Sequence, residues 1–388
     1  MFGVGSIVVA SAVLLVTGLP LRWLPGSTSW SISDWTALAA MVGGRVIALL
    51  PLDLLGGFLL PNRWRPGTIS LNRFLIGWLR GALVQGTLFV ATSLLILSMG
   101  RSFGLPGALA AIAVTGVLLI AMQLWIAKLV GALPTEKTGL HDPSGLDERD
   151  VQAEHSAMVS QALSLVSHWG WKPRPILMLQ NHDTGFTGGI VGLPGMESVV
   201  LSAASLNRMS KEQLAVTIAR RFEAIQSGSR TRGVVFALVW AIVGFALSAL
   251  LPRAGVTSVG ELAMTCLGFT QWTFLGLLVL PTLSRQASYA IDGELLQRGV
   301  SPDDFEQTIK TLDELQDDEP RRSAIVETIF HPVPSVDNRR IAPSSSEPIA
   351  WHAARMTLFV TWACMGMLVR AVHCNVGRPE LWVMLPTD

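Results

Sequence analysis

This sequence predicts a mainly α-helical integral membrane protein, a multi-span helical bundle with a polar α+β part set between its apolar runs. Half of the 388 residues are hydrophobic and only 15% are charged, and the mean hydropathy is +0.46, a membrane composition. Apolar runs near 20 residues, the length that crosses about 30 Å of hydrocarbon, recur along the chain. A polar stretch with amphipathic and β-prone segments begins after Lys128 and is itself interrupted by two more apolar runs.

The spans come first. Residues 2–19, 35–60, 82–99 and 105–126 are four candidates in an N-terminal membrane domain, 1–130. The first run has no basic region before it and no small-residue cleavage site after it, so it reads as a retained anchor. Pro134, Asp142, Pro143, Asp147, Glu148, Arg149 and Asp150 mark the start of the polar domain, whose first half is 131–232. A transmembrane hairpin follows over 233–282, from the apolar runs 234–251 and 262–280. The second half of the polar domain is 283–350, and 351–388 holds a last membrane segment, 356–369, with the tail. Arg63, Arg65, Arg73 and Arg80 crowd one connection, whereas the loops at Arg101 and Arg253 carry one basic residue each. The positive-inside rule then puts the N-terminus and polar domain in the cytoplasm, across a bacterial inner membrane.

Several features exclude or narrow functions. A formal net charge of +1 gives no basic excess for nucleic acid. Cys266, Cys364 and Cys374 show no CxxC spacing and read as small buried residues. Arg45 and Asp53 inside a span would suit a transporter or channel if paired. Snorkelling of Arg45 and a helix-end position of Asp53 after Pro51 are the alternative. The acidic run 313–319 reads as a solvated helix end.

Within the polar domain, residues 153–169 form an amphipathic helix with Met158, Ala162, Leu165 and Val166 on one side. Residues 175–180 and 198–202 are β-prone, separated by the glycines Gly185, Gly188, Gly189, Gly192 and Gly195. Without a following GKS or GKT, that stretch is no phosphate loop. Ser210 with Gln213 three residues on has the spacing of a capping box, and Leu214, Ile218, Phe222 and Ile225 form the apolar stripe of the helix it starts.

Residues 209–224 resemble the active-site helix of the membrane-embedded zinc metallopeptidases of the HtpX and CAAX prenyl protease family, where a similar lead-in precedes HExxH. Residues 181–189, Asn-His-Asp-Thr-Gly-Phe-Thr-Gly-Gly, are similar to the NAFAxG-like segment, and residues 197–206 to the strand and turn before that helix. Residues 284–292, Ser-Arg-Gln-Ala-Ser-Tyr-Ala-Ile-Asp, resemble SRxxExxAD, while His331-Pro332 and Arg340-Ile341 are similar to the closing HP and RI elements. The resemblance covers about 151–341, including the inserted hairpin, and implies a zincin-like α+β domain.

In that motif the two His bind zinc and the Glu activates metal-bound water. Here the resemblance puts Arg220, Arg221 and Ala224 at those three positions, and Ser288 at the third ligand, a Glu. No zinc site, no cofactor and no catalytic residue is expected. His141, His155, His168, His182, His331, His352 and His373 supply no helical pair four apart. Asp292 falls where the resemblance implies a carboxylate that orients the first zinc His, so an Arg220–Asp292 ion pair within about 4 Å is expected. Arg221 with Glu223 reads as surface charge, and Ser288 as a satisfied hydroxyl without a His base. In active relatives the strand before the helix pairs with extended substrate, so Met196, Glu197, Ser198, Val199, Val200 and Leu201 are a possible peptide-binding edge. The function expected is a pseudopeptidase in membrane protein quality control, touching the bilayer and binding membrane-protein clients or a partner peptidase. The alternatives are an active zinc endopeptidase, or a transporter or channel.

Overall fold

The computed structural model describes residues 2–64, 70–131, 148–179, 185–316, 318–341, 347–368 and 383. His141, His182, His373, Cys374, Arg65 and the residues 181–184 of the NAFAxG-like segment lie outside them, as do the boundary residues 132–147. The chain divides into two compact units. One comprises Met1–Gly131, Phe236–Leu277 and Met356–Val383, the other Ala132–Val235, Leu278–Arg355 and Met384–Asp388.

In the first unit, Ser31 and Asp34 form a capping box that starts the helix Ile32–Leu54, which continues through a π-helical turn at Leu55–Leu59. The apolar run 82–99 and most of the run 105–126 lie within Leu71–Ala121, broken at Gly104, whose φ of 64° and ψ of −155° no helix contains; the rest of the second run enters the helix Gln123–Val130. Among the described residues, four helices are long and apolar enough to cross a membrane: Ile32–Arg63, Leu71–Ala121, Ser229–Ala249 and Val259–Gln297. Only 22% of the apolar window in Ile32–Arg63 is buried within the protein, so most of that surface is left for lipid, which is the solvent its composition suits.

Two expected spans are corrected. The first helix, Phe2–Thr17, has 16 residues and rises about 24 Å at 1.5 Å per residue, short of the hydrocarbon thickness. It stops where Gly18 turns left-handed, with φ at 64°. The last expected segment, 356–369, is no span among the described residues: Ala353–Val360 is eight residues long, a 3₁₀ turn Thr361–Cys364 follows, and Met365 is left-handed.

The intramembrane charges have separate partners. Asp53 accepts from Trp78 Nε1 at 2.7 Å, and Arg45 donates to the Met367 carbonyl with its guanidinium 5.2 Å from the Phe89 ring centre.

The second unit is a helix-on-sheet domain. Three short strands, β1 (Ile176–Leu179), β2 (Gly188–Val191) and β3 (Ser198–Ser202), form one sheet in the order β1-β3-β2. β3 runs parallel to β1 and antiparallel to β2. The glycine-rich stretch between the two β-prone runs itself supplies a strand, since Gly188 and Gly189 pair with Leu201 and Val200. Helices Glu148–His168 and Lys211–Gln226 pack with the sheet around a shared core that includes Ala162, Val166, Leu214, Ile218, Phe222, Ile291 and Leu295. Each large aliphatic or aromatic side chain so buried contributes about 1.5–3 kcal/mol.

Candidate functional site

Helix Lys211–Gln226 is specified locally. Ser210 Oγ accepts from Gln213 N at 3.2 Å and Gln213 Oε1 from Ser210 N at 2.9 Å. This capping box fixes the first turn, and Leu214, Ile218 and Phe222 hold one face in the core. Burial extends all round this helix from Leu214 to Ile225, and Arg220, Arg221 and Ala224 are fully buried with it.

Asp292, on helix Val259–Gln297, is 0% exposed and lies between two guanidinium groups. Arg220 Nε donates to its Oδ1 at 3.0 Å, inside the 4 Å limit for an ion pair. Arg339, on the short helix Val336–Ile341, grips the carboxylate in a fork: Nε to Oδ2 at 2.8 Å and Nη2 to Oδ1 at 3.1 Å. Fork geometry of this kind is the strong form of an arginine–carboxylate contact. Asp292 is thus no orphan neutralised by Arg220 alone; Arg339 supplies the bidentate bond, and Arg220 adds a second cation.

Arg221 is not surface charge. It is 0% exposed, and its guanidinium donates to the carbonyls of Val200 and Thr187, both at 3.1 Å, which ties the helix to β3 and to the residue preceding β2. Gly188, with φ at 110°, makes room for it: a Cβ there would stand 2.8 Å from Arg221 Nη1. Glu223 is buried too, accepting from Trp171 Nε1 at 2.9 Å and pairing with Arg298 at 3.4 Å. Ser288 Oγ donates to the Ser284 carbonyl at 3.1 Å.

Three further assignments change. β3 is the central strand and is paired on both sides, so residues Ser198 to Leu201 have no free edge for an added peptide strand. Met196 is 78% exposed outside the strand, and Glu197 is buried and accepts from Gly195 N at 2.9 Å. Arg340 is a surface residue whose Nε is 3.0 Å from Glu306 Oε2. The Lys310 hydrogen bond, with Arg340 beside it, holds the Glu306 carboxyl below its usual range. His331 and Pro332 are half-buried at the end of helix Ala324–Phe330, where His331 N donates to the Glu327 carbonyl at 3.3 Å.

Arg339 is the site residue that the sequence reading missed. It sits three residues after the buried Val336 and is itself buried, whereas Arg340 is not. Positions i+3 and i+4 lie on one helix face, so spacing from Val336 does not by itself separate the two arginines.

The donor set does not fit zinc. Guanidinium groups and a methyl offer no lone pair to a metal, and Ser288, which donates to the Ser284 carbonyl, offers a single neutral hydroxyl oxygen where zinc needs three His, Cys or carboxylate ligands. Among the described residues, no three His, Cys, Asp or Glu side chains gather as a metal site. A unit charge 4 Å from another costs about 4 kcal/mol at the effective dielectric of a protein surface, and a divalent ion beside a guanidinium doubles that.

The spans and the small helix-covered sheet define a mostly helical integral membrane protein. No family model and no curated protein matches the sequence. The crystal structure of S. mikatae Ste24p is similar in fold, with a TM-score of 0.63 at 13% identity over 81% of this chain and 76% of that one.

Proposed function

We propose that this chain is a pseudopeptidase: a catalytically inactive membrane protein on the fold of a zinc metalloendopeptidase, acting by binding rather than cleavage. The fold resembles that of Ste24p, and the order of the motifs that resemble the HtpX and CAAX prenyl protease family supports a metallopeptidase ancestry. The observation that carries the reading is the buried cluster itself. Arg220 and Arg339 pair with one carboxylate, Asp292, and Arg221 is buried beside Arg220 on the same helix, where the resemblance requires metal ligands and a general base. Without an activated water or a nucleophile, no hydrolytic step is available to these side chains.

The partners proposed are membrane-protein clients or an active partner peptidase, held by a surface other than the paired strand β3. The arginine-rich connection from Arg63 to Arg80 supports a cytoplasmic position for the polar domain in a bacterial inner membrane. Incubation of the purified full-length protein with casein tests the reading. No cleavage above the buffer rate is expected, with or without a zinc chelator. Chelator-sensitive cleavage would establish the alternative of an active zinc endopeptidase.

A further inference from the structure

A second buried arginine setting lies outside this cluster. Arg230 is 1% exposed, yet none of its three guanidinium nitrogens has a hydrogen-bond partner among the described residues. It forms no ion pair within 4 Å among them; the buried carboxylate of Glu197 attracts it only from farther away. A buried charge so placed is costly unless something hydrogen-bonds to it.

Its position narrows what that partner is. Arg230 is the second residue of helix Ser229–Ala249, and helical side chains lean towards the N-terminal end. Ser227 Oγ accepts the amide of Ser229 at 3.4 Å, and the Gly228 carbonyl that of Arg232 at 2.9 Å. The N–H groups of Arg230 and Thr231 have no acceptor among the described residues. The Arg230 guanidinium and two unpaired amides thus belong to the same first turn, where the helix dipole also favours negative charge. The segment Pro348–Ala353 lies along the turn. Trp351 N donates to Ser229 Oγ at 2.9 Å, and Arg232 donates to the carbonyls of Pro348 and Ile349. Those neighbours use the side chains of Ser229 and Arg232 and leave that of Arg230.

We infer that Arg230 and the first turn of this helix form a binding site for a phosphate group. The planar fork takes two phosphate oxygens and the amides a third. Ser229–Ala249 is one of the four membrane-crossing helices, and its N-terminal end is where a span leaves hydrocarbon for the headgroup layer, which makes the phosphate of an anionic lipid one source and free phosphate the other.

Full-length protein in lipid-depleted detergent, titrated with inorganic phosphate and separately with phosphatidylglycerol, tests this by thermal unfolding and by native mass spectrometry. The wild type is expected to show a saturable rise in Tm with at least one probe. A response to the lipid alone assigns the headgroup, and a response to both assigns phosphate from either source. Arg230→Met should weaken binding roughly ten- to a hundredfold, the loss expected with a charge-assisted hydrogen bond. It should also be at least as stable as the wild type when neither probe is present. If it fails to fold, Arg230→Lys, which keeps the charge and loses the fork, should weaken binding in the same sense. Arg321→Ala, at an exposed arginine, should respond as the wild type does. No response of the wild type to either probe, an undiminished response in the folded Arg230 variant, or an equal loss in Arg321→Ala overturns the assignment.

Discussion

Asp34 and Asp292 are both fully buried carboxylates that meet arginine, and they are built to opposite ends. In the membrane unit Arg101 Nη1 donates to Asp34 Oδ2 at 3.1 Å. The rest of that guanidinium is spent on the carbonyls of Thr257 and Ser27, at 2.8 Å and 3.1 Å, above the Trp30 ring. Asp34 also accepts from Ser31 N at the helix start. One cation meets one anion, and the result is a neutral clasp that joins three chain segments. At Asp292 one carboxylate serves two guanidinium groups, with a third, Arg221, on the same helix bonded to the carbonyls of Val200 and Thr187. The first arrangement is sufficient to hold a fold together. The second gathers positive charge around one anion, the feature on which the pseudopeptidase proposal rests.

The comparison can be broken by substitution, and the largest effect is expected at the shared anion. Asp292→Asn removes the carboxylate that two buried guanidinium groups share and should cost about 3–5 kcal/mol, read as a fall in Tm or in the denaturant midpoint of the detergent-solubilised protein. Arg339→Met removes the fork and should cost about 2–4 kcal/mol, because Arg220 keeps only a single bond to Asp292. Arg101→Met breaks a one-to-one pair at the edge of solvent, and a loss of about 1–3 kcal/mol is expected. Arg220→Met should be the mildest, within about 1 kcal/mol of wild type, since Arg339 still neutralises Asp292 and a well-packed apolar side chain replaces a buried ion at little cost. A loss at Arg220 as large as that at Arg339 would show that the two cations are not ranked by their hydrogen-bond geometry.

Gly188→Ala probes the helix-to-sheet tie. The residue is left-handed and its Cβ would crowd Arg221, so a loss of about 1–3 kcal/mol is expected from backbone strain alone. Arg221→Met beside that glycine should lose less, and a double variant should lose less than the sum if the two sites are coupled as their contact requires.

The capping box at Ser210, the apolar stripe of the site helix and the Arg220–Asp292 contact were legible in the sequence because each depends on spacing along one helix or on a motif order. The fork from Arg339 was not, since it depends on which of two adjacent arginines a six-residue helix turns inward. Pairing of β3 on both sides was hidden for a related reason. A glycine-rich run reads as a loop by propensity, and tertiary pairing made it a strand. Glu223 and Arg221 looked like a solvated pair in sequence, because nothing local reveals that Trp171 and two backbone carbonyls wait for them. The short last segment was misread from hydropathy alone, which registers apolar length and not the left-handed turn at Met365 that ends it.

Zinc content of the purified full-length protein bears most directly on the claim that a cationic cluster stands in a metallopeptidase's metal position. Inductively coupled plasma mass spectrometry after dialysis against buffer with equimolar zinc should find well below one zinc per chain, with no change in Tm on adding a chelator. One zinc per chain, removed by the chelator and lost in no variant but those of Arg220, Arg221, Ala224 and Ser288, would contradict it.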